Sequence, residues 1–342
     1  MRKNKPSISE LAERLKISKT TVSFIMNGKA KEKRISDALV KKVEKAAIKL
    51  GYQANPFAKS LRTGRTNLIG LMVEDISNPF FSSIAKLIEA KIYANGYKVV
   101  YCSTENDPTR GKEFLKMFGA LRVDGCIIAP TMGMESDIAE MVDRGMNVVL
   151  FDRKFRNKAA DVIKVDNVQG LYDAVTHLVE RGYEKIALIT LAFDKPEREE
   201  RVIGYQKAIK DHGLVSHVHT LPFKVRYQDY ANDIRTILEE NSGFDAVIFG
   251  TNYLGISGLE AIKMLKLSIP KDLAIVSFDD HDLFRIHEPG ITVVAQPIEE
   301  IAQTSIETLF KKIQISKKKS PVDTIILKTN LIIRDSTSSK AK

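Results

Sequence analysis

Residues 7–27 read SISELAERLKISKTTVSFIMN and predict two short helices separated by a tight turn. Ser7 followed by Glu10 is the pattern of a capping box, and apolar residues then recur at helical spacing up to Leu15. Ser18 is suited to cap a second helix, which Asn27 and the following glycine would end. This order of elements is typical of a helix-turn-helix unit.

A third helix is predicted from about Ser36 to Leu50, which makes an all-α bundle of three short helices. In such a bundle the N-terminal residues of the second helix enter the major groove of DNA. Lys19 and Thr20 hold that position, and Phe24 follows one turn later, so Lys19 could bind guanine and Phe24 a thymine methyl group. The side chains suited to phosphate contacts are Ser7, Ser18, Thr21, Ser23 and Asn27.

The positive charge of the chain is concentrated in this segment. Residues 1–66 contain 17 Lys and Arg against 5 Asp and Glu, whereas the whole chain carries a net charge of +10. A basic segment joined to a near-neutral body favours double-stranded DNA as partner. The alternative is that these polar residues are only the solvated faces of a helical hairpin. The basic loop Lys29–Arg34 is open to the same two interpretations, a solvated charge run or a phosphate contact.

The next segment, residues 55–65, is predicted to be a linker that contains a short helix. Asn55 and Pro56 are suited to begin it, and Gly64 lies at its end. About two helical turns are unstable alone in water, so this helix would fold only against a partner. Leu61 could either unstack a base step in the minor groove or dock on the body of the protein.

From Asn67 onward, apolar strands alternate with helical stretches, which indicates an α/β core of parallel sheets with covered faces. The series is long enough for two lobes. The candidate strands are Leu68–Val73, Lys98–Cys102, Gly125–Ala129, Val148–Phe151, Ile186–Leu191, Ala246–Phe249 and Ala274–Phe278.

Ligands of such sheets bind at the carboxyl ends of the strands, where this chain places charged, amide and aromatic residues. Asp75–Phe81 follow the first strand, Asp152 and Arg153 the fourth, and Asp279 and Asp280 the last. Polar groups that bond hydroxyls, beside rings that cover CH faces, suit a hydroxyl-rich small molecule.

Other classes of protein have less support. The motifs GxGxxG after a strand, GxxxxGK[ST] and GxSxG are absent, so no enzyme and no cofactor is expected. Asp279 and Asp280 could be imagined as a catalytic pair, but adjacent residues at one strand end are expected to point in different directions. His217 and His219 are interpreted as part of a surface loop rather than as metal ligands. Two cysteines, no secretory signal and no membrane-length apolar run favour a cytoplasmic protein.

Taken together and in order, these motifs resemble the lactose-repressor family of bacterial transcription regulators, from about Ser7 to Thr337. The motifs that carry the resemblance are Ile17–Ser23 with Asn27, Leu50–Tyr52, Asn55-Pro56, Ile69–Leu71, Asp75–Phe81, Phe151–Arg153, Arg201 with Gly204-Tyr205, Phe278–Asp280, Gln296 and Leu331–Thr337.

The resemblance implies a helix-turn-helix domain (residues 1–54), a hinge helix (55–65), and a two-lobed core (66–337) similar to periplasmic sugar-binding proteins, before a disordered tail (338–342). It implies a homodimeric repressor of palindromic operator DNA that senses a sugar-like effector, with Leu61 as the minor-groove wedge. The residues that would line the effector cleft are Asn78, Phe80, Phe81, Asp152, Arg153, Arg201, Asn252, Asp279 and Gln296.

The chain departs from the family pattern at several positions. Phe24 stands where a polar or basic reader is common, and about three extra residues lie near Lys29–Arg34. Tyr253 and Ser277 replace a common Asp and Gly. A solute-binding protein without a DNA role is the alternative, and the basic N-terminal segment argues against it.

Overall fold

The computed structural model describes residues 6–52, 64–153, 155, 159–192, 196–224, 229–315 and 322–340, with backbone only at 196–198. The chain divides into two compact units, Met1–Thr66 and Asn67–Lys342. The predicted hinge helix, including Leu61, lies outside the described residues. The hinge and domain boundaries therefore remain predictions.

The first unit contains the three predicted helices, α1 (Ile8–Leu15), α2 (Lys19–Met26) and α3 (Asp37–Leu50). A serine caps each helix: Ser7 Oγ accepts from Glu10 N at 3.2 Å, and Ser18 Oγ accepts from Thr21 N at 2.9 Å. Ser36 does the same for α3. Each cap contributes about 1 kcal/mol, which matters for helices this short.

A small hydrophobic core holds these helices together. Its members come from all three helices, and each Leu, Ile or Val side chain that is fully removed from water contributes about 1.5–3 kcal/mol. The fully buried members are Leu11, Ala12, Val22, Ile25, Val43 and Ala47. The opposite faces of α1 and α2 are exposed, which leaves their polar residues available to a partner.

The second unit begins with a six-stranded sheet that forms the first lobe. All of its neighbouring strands pair in parallel. Their order across the sheet is β2 (Lys98–Ser103), β1 (Leu68–Val73), β3 (Gly125–Ile128), β4 (Val148–Phe151), β5 (Asp161–Val165) and β11 (Thr324–Leu327). The helices of this lobe are α4 (Pro79–Ala94), α5 (Pro108–Leu121), α6 (Glu135–Asp143) and α12 (Ile298–Ile315).

The second lobe repeats this arrangement. Its strand order is β7 (His217–Leu221), β6 (Ile186–Leu191), β8 (Ala246–Phe249), β9 (Ala274–Phe278), β10 (Thr292–Ala295) and β12 (Asn330–Ile332). Its helices are α7 (Asn167–Glu180), α8 (Pro196–Asp211), α9 (Tyr230–Glu240), α10 (Asn252–Leu265) and α11 (Asp282–Ile286). The edge strand β12 pairs antiparallel to β10, whereas a wholly parallel sheet was predicted.

The chain passes between the lobes after β5, after β10 and after β11. One hydrophobic cluster contains buried residues of both lobes, which accounts for their forming a single compact unit. The carboxyl ends of the strands of both sheets supply residues to one cleft. The predicted α/β core of two doubly wound lobes is therefore confirmed.

One expectation about the second unit was wrong. His217 and His219 lie on strand β7 rather than in a surface loop, and both rings contact Phe244, at 5.1 and 5.6 Å between centroids. Near the C-terminus, Tyr183 donates to the carbonyl of Ser338 and Lys340 pairs with Asp245, while the disorder expected for residues 338–342 remains a prediction.

Among the described residues, no helix is both long and apolar enough to cross a membrane. The described residues also include no group of three or more His, Cys, Asp or Glu side chains that could hold a metal ion.

Candidate functional site

The predicted DNA-reading residues lie together at the N-terminal end of α2. Lys19 and Thr20 are exposed, and Phe24 is half-buried on the following turn. The ammonium group of Lys33 lies 5.5 Å from the centre of the Phe24 ring. The basic loop therefore contacts the reading helix directly, an arrangement that sequence spacing alone did not indicate.

The other predicted DNA contacts make hydrogen bonds within the unit. Ser7 and Ser18 cap helices, and the Thr21 hydroxyl lies 2.8 Å from Ser18 Oγ. Asn27 Nδ2 donates to the carbonyl of Ser23 at 2.6 Å. A hydroxyl that accepts one such bond can still bond a phosphate oxygen. Their roles toward DNA remain predictions.

The predicted effector residues converge on a cleft between the two lobes. The cleft is narrow in this structure, with a free volume of about 40 Å³. Every predicted residue except Asn252 lines it, and sequence reasoning missed three others. The lining residues are Glu74, Asn78, Phe80, Phe81, Asp152, Arg153, Arg201, Thr251, Tyr253, Asp279 and Gln296.

On the first lobe, one arginine is held between two carboxylates. Arg153 Nε donates to Asp152 Oδ2 at 2.8 Å, and its Nη2 donates to Glu74 Oε2 at 2.6 Å. All three residues are buried. Charge-assisted hydrogen bonds of this kind fix the orientation of both carboxylates toward the cleft.

On the second lobe, Gln296 Nε2 donates to Asp279 Oδ1 at 2.6 Å. Burial raises the pKa of the Asp279 carboxyl and the negative charge of Asp152 adds to that rise, while Arg201 and Gln296 oppose it. The Arg201 guanidinium carbon lies 3.7 Å above the centre of the Phe278 ring. A carboxylate and a guanidinium thus face the cleft with little access to bulk water.

Asn252 contributes from behind the lining. Its Nδ2 donates to Asn78 Oδ1 at 3.1 Å, which joins α10 of the second lobe to the start of α4 in the first. Asn78 Oδ1 also caps α4 by accepting from Phe80 N. Phe80 and Phe81 pack edge to face at 5.0 Å, so their rings form an apolar wall. The site therefore combines directional polar groups with an aromatic surface.

Asp279 and Asp280 do not form a carboxylate pair. Asp279 lines the cleft, whereas both carboxylate oxygens of Asp280 accept from Arg334, at 2.9 and 2.7 Å. The two side chains therefore point in different directions, as expected for successive residues at a strand end.

Comparisons with known proteins agree with both parts of this structure. Residues 7–55 match the family described as bacterial regulatory proteins, lacI family. Residues 175–337 match the periplasmic binding protein-like domain.

The sucrose operon repressor of Pediococcus pentosaceus is 30% identical over 312 residues, which cover 91% of this chain and 93% of that protein. A lacI-family regulator from Enterococcus faecium, solved with bound ribose, is 26% identical with a TM-score of 0.71 and covers 80% of this chain and 99% of its own. The lac repressor dimer bound to operator, 21% identical, shares the fold with a TM-score of 0.83 over 97% of this chain and 99% of its own. The chain therefore belongs to the lacI family of bacterial regulatory proteins, and it is a DNA-binding transcriptional regulator with a periplasmic-binding-protein-like ligand domain.

Proposed function

We propose that this chain is a homodimeric repressor that binds a palindromic operator and responds to a neutral, hydroxyl-rich molecule of the sugar class. The observation that carries the proposal is the convergence of the strand-end residues of both lobes on one buried cleft. Asp152 and Asp279 would accept hydrogen bonds from ligand hydroxyls, Arg153 and Arg201 would donate to ligand oxygens, and Phe80 would cover a CH face.

The charge balance of the cleft favours a neutral ligand. Glu74, Asp152 and Asp279 carry carboxylates, against the guanidinium groups of Arg153 and Arg201. A phosphorylated sugar would need a surplus of cationic or backbone N–H donors, because a buried anion requires compensation. The sucrose operon repressor and the ribose-bound regulator are consistent with a sugar as ligand.

Regulation would couple this cleft to DNA binding through the lobes and the hinge. Two copies of the reading unit would contact half-sites related by the dimer axis, and two hinge helices would order together between them. A ligand that binds one lobe arrangement more tightly shifts the population toward it. The repressor would act on DNA in the cytoplasm, with residues 1–54 reading the operator and residues 66–337 sensing the effector.

The test is footprinting of the full-length protein on the DNA upstream of its own and neighbouring genes, with and without a panel of neutral sugars. Protection of a palindromic site that one sugar strengthens or abolishes is expected. Protection of no palindromic site in any condition would contradict the proposal.

The same assay tests the proposed wedge. Leu61→Ala should weaken binding to the protected site far more than binding to unrelated duplex DNA, because unstacking of a particular base step is lost. Equal losses on both duplexes would contradict a wedge role.

A further inference from the structure

An ion pair between the lobes lies outside the lining of the effector cleft. Lys164 is on β5 of the first lobe, and its ammonium group pairs with the carboxylate of Glu200 on α8 of the second lobe. The two side chains are 8% and 17% exposed. This ion pair therefore lies in a largely dry position at the junction of two bodies.

The pair continues into a chain of hydrogen bonds that ends at the cleft. Glu200 Oε2 accepts from Asn167 Nδ2 at 3.3 Å, and Asn167 Oδ1 accepts from Arg201 Nε at 2.9 Å. Arg201 Nη1 then donates to the carbonyl of Gly250 at 2.7 Å. Because Nε and Nη1 are both held, the planar guanidinium has one orientation over Phe278.

We propose that Lys164 and Glu200 form an interlobe latch, which favours the arrangement of the lobes seen in this structure (the closed arrangement) and, through Asn167, positions Arg201 in the effector cleft. The first part concerns the lobes alone, and the role toward an effector rests on the proposed function. Lys164 is thus a positioning residue that acts through other residues on the ligand-facing guanidinium.

The electrostatics predict an asymmetric response to substitution. Removal of one partner leaves the other charge buried without compensation, which is far more costly than replacing both partners by apolar groups. If only Lys164 is removed, opening of the lobes would hydrate the Glu200 carboxylate, so the open arrangement gains. If both residues are made apolar, no uncompensated charge is buried in the closed arrangement, and its population should return to that of the native chain.

The chain contains a matched control on the same strand. Lys312 of α12 pairs with Asp161 of β5 at 2.6 Å, with exposures of 18% and 7%, and both residues belong to the first lobe. Substitution of Lys312 removes a largely buried ion pair of similar chemistry that lies within the first lobe. A change in the lobe arrangement that results only from lost stability should therefore appear when either Lys164 or Lys312 is substituted.

The experiment measures the distance between the lobes in the full-length protein without added ligand. Spin labels at Y93C and V215C, positions that are 75% and 70% exposed, report on the first and second lobe respectively. Cys102 and Cys126 are buried. Labelled chains are diluted with unlabelled protein, so that distances within one chain dominate the pulsed EPR signal.

K164M is expected to populate a second interlobe distance, with the fraction in the new arrangement rising about tenfold over the native chain. E200Q, which preserves side-chain shape, should shift the distribution in the same direction and serves if K164M folds poorly. K312M should keep the native distribution, and K164M/E200L should restore it. Native distributions in both K164M and E200Q, or an equal shift in K312M, would overturn the latch.

The positioning of Arg201 has its own readout, the solvent exchange of its Nε–H proton in ¹⁵N-arginine NMR spectra, assigned with R201K. Exchange should accelerate at least about tenfold in K164M and remain unchanged in K312M. Unchanged exchange in K164M would contradict the positioning role. Neither measurement uses DNA or a sugar, so failure here is distinct from failure of the proposed function.

Discussion

Asp152 and Asp279 occupy equivalent positions in the two lobes. Each directly follows the fourth strand of its sheet, β4 or β9, and each has a left-handed backbone, with φ of 70° and 68°. Asp is one of the few residues that tolerate this conformation, which still costs about 1 kcal/mol or more. Both carboxylates line the same cleft. The two lobes thus use the same backbone conformation to direct an acidic side chain into the cleft.

This pairing has a consequence for stability in the absence of ligand. Burial, with the Asp152 charge adding to it, raises the pKa of the Asp279 carboxyl above that of an unfolded chain. The folded state therefore holds the Asp279 proton more tightly, and stability present at low pH is lost as pH rises through the raised pKa. Asp279→Asn removes the cost of ionisation and should raise the Tm near neutral pH.

Thermal unfolding of both proteins from about pH 4 to pH 8 checks this sign. The gain from Asp279→Asn should shrink toward the acid end, where the native carboxyl is protonated too. Effector affinity should fall in the same variant if the carboxylate accepts a ligand hydroxyl. A variant less stable than the native chain at neutral pH would contradict the sign of the argument.

Long, uninterrupted apolar runs made most strands predictable. The strand β5 was missed because Asp161 and Lys164 interrupt its apolar pattern, yet both charges are buried and paired by residues distant in sequence, Lys312 and Glu200. The strand β7 was missed because it is a half-buried edge strand that carries two histidines. A local sequence pattern cannot predict that a charged residue is buried when its ion-pair partner belongs to another helix or strand.

Most residues of the cleft were predictable because the carboxyl ends of parallel strands lie at one edge of a sheet. Glu74 was not predicted as a cleft residue because it adjoins Asp75 in one polar turn. Its hydrogen bond from Arg153, which is distant in sequence, shows which of the two carboxylates lines the cleft. The burial of Thr251 and Tyr253 at the start of α10 likewise follows from tertiary packing. Residue type identified candidates there, but only tertiary contacts distinguish those that line the cleft.

The ion pair of Asp280 with Arg334 ties the C-terminal segment to the strand end that carries Asp279. Arg334 binds both carboxylate oxygens and also donates from Nη1 to the carbonyl of Ile291 at 2.8 Å. Arg334→Lys keeps the charge but loses this fork, so we expect a loss of about 2 kcal/mol in the free energy of unfolding.

Urea unfolding measures that loss. Arg144→Lys is the matched control, because Arg144 and its partner Glu140 are 77% and 61% exposed and such pairs contribute little. Equal effects of the two substitutions would show that the bidentate geometry at Arg334 is not what stabilises this strand end.

Lys33 and Phe24 lie in contact, but we expect them to contribute to DNA binding in different ways, Phe24 to base discrimination and Lys33 to phosphate binding. Phe24→Ala should reduce discrimination at one base pair of the selected site by about 1 kcal/mol, because an apolar contact with a base is lost. Lys33→Gln should instead lower the slope of affinity against salt concentration by about one, because a phosphate contact is lost.

Both variants can be compared on duplexes selected from a random pool by the native protein, at several salt concentrations. Phe24→Ala should leave the salt slope unchanged. If Phe24→Ala alters the slope and leaves the sequence preference intact, Phe24 does not face a base.

The close packing of α7 against α8 depends on Gly204. A Cβ atom at this position would lie 2.2 Å from the backbone carbonyl oxygen of Val168, a contact that requires one helix to move. Gly204→Ala should therefore cost about 1–3 kcal/mol in the free energy of unfolding. Because α7 carries Asn167 and α8 carries Arg201, the displacement should also lengthen their 2.9 Å hydrogen bond and weaken effector binding.

Gly119, in helix α5 of the first lobe, provides the comparison. No atom lies within 4 Å of a Cβ built there, so Gly119→Ala should leave stability unchanged or raise it by about 0.5–1 kcal/mol through helix propensity. Urea unfolding of the two variants, followed by titration with the sugar found by footprinting, tests both expectations. A Gly204→Ala variant with native stability would mean that α7 and α8 can separate without cost, and that their contact does not set the position of Arg201.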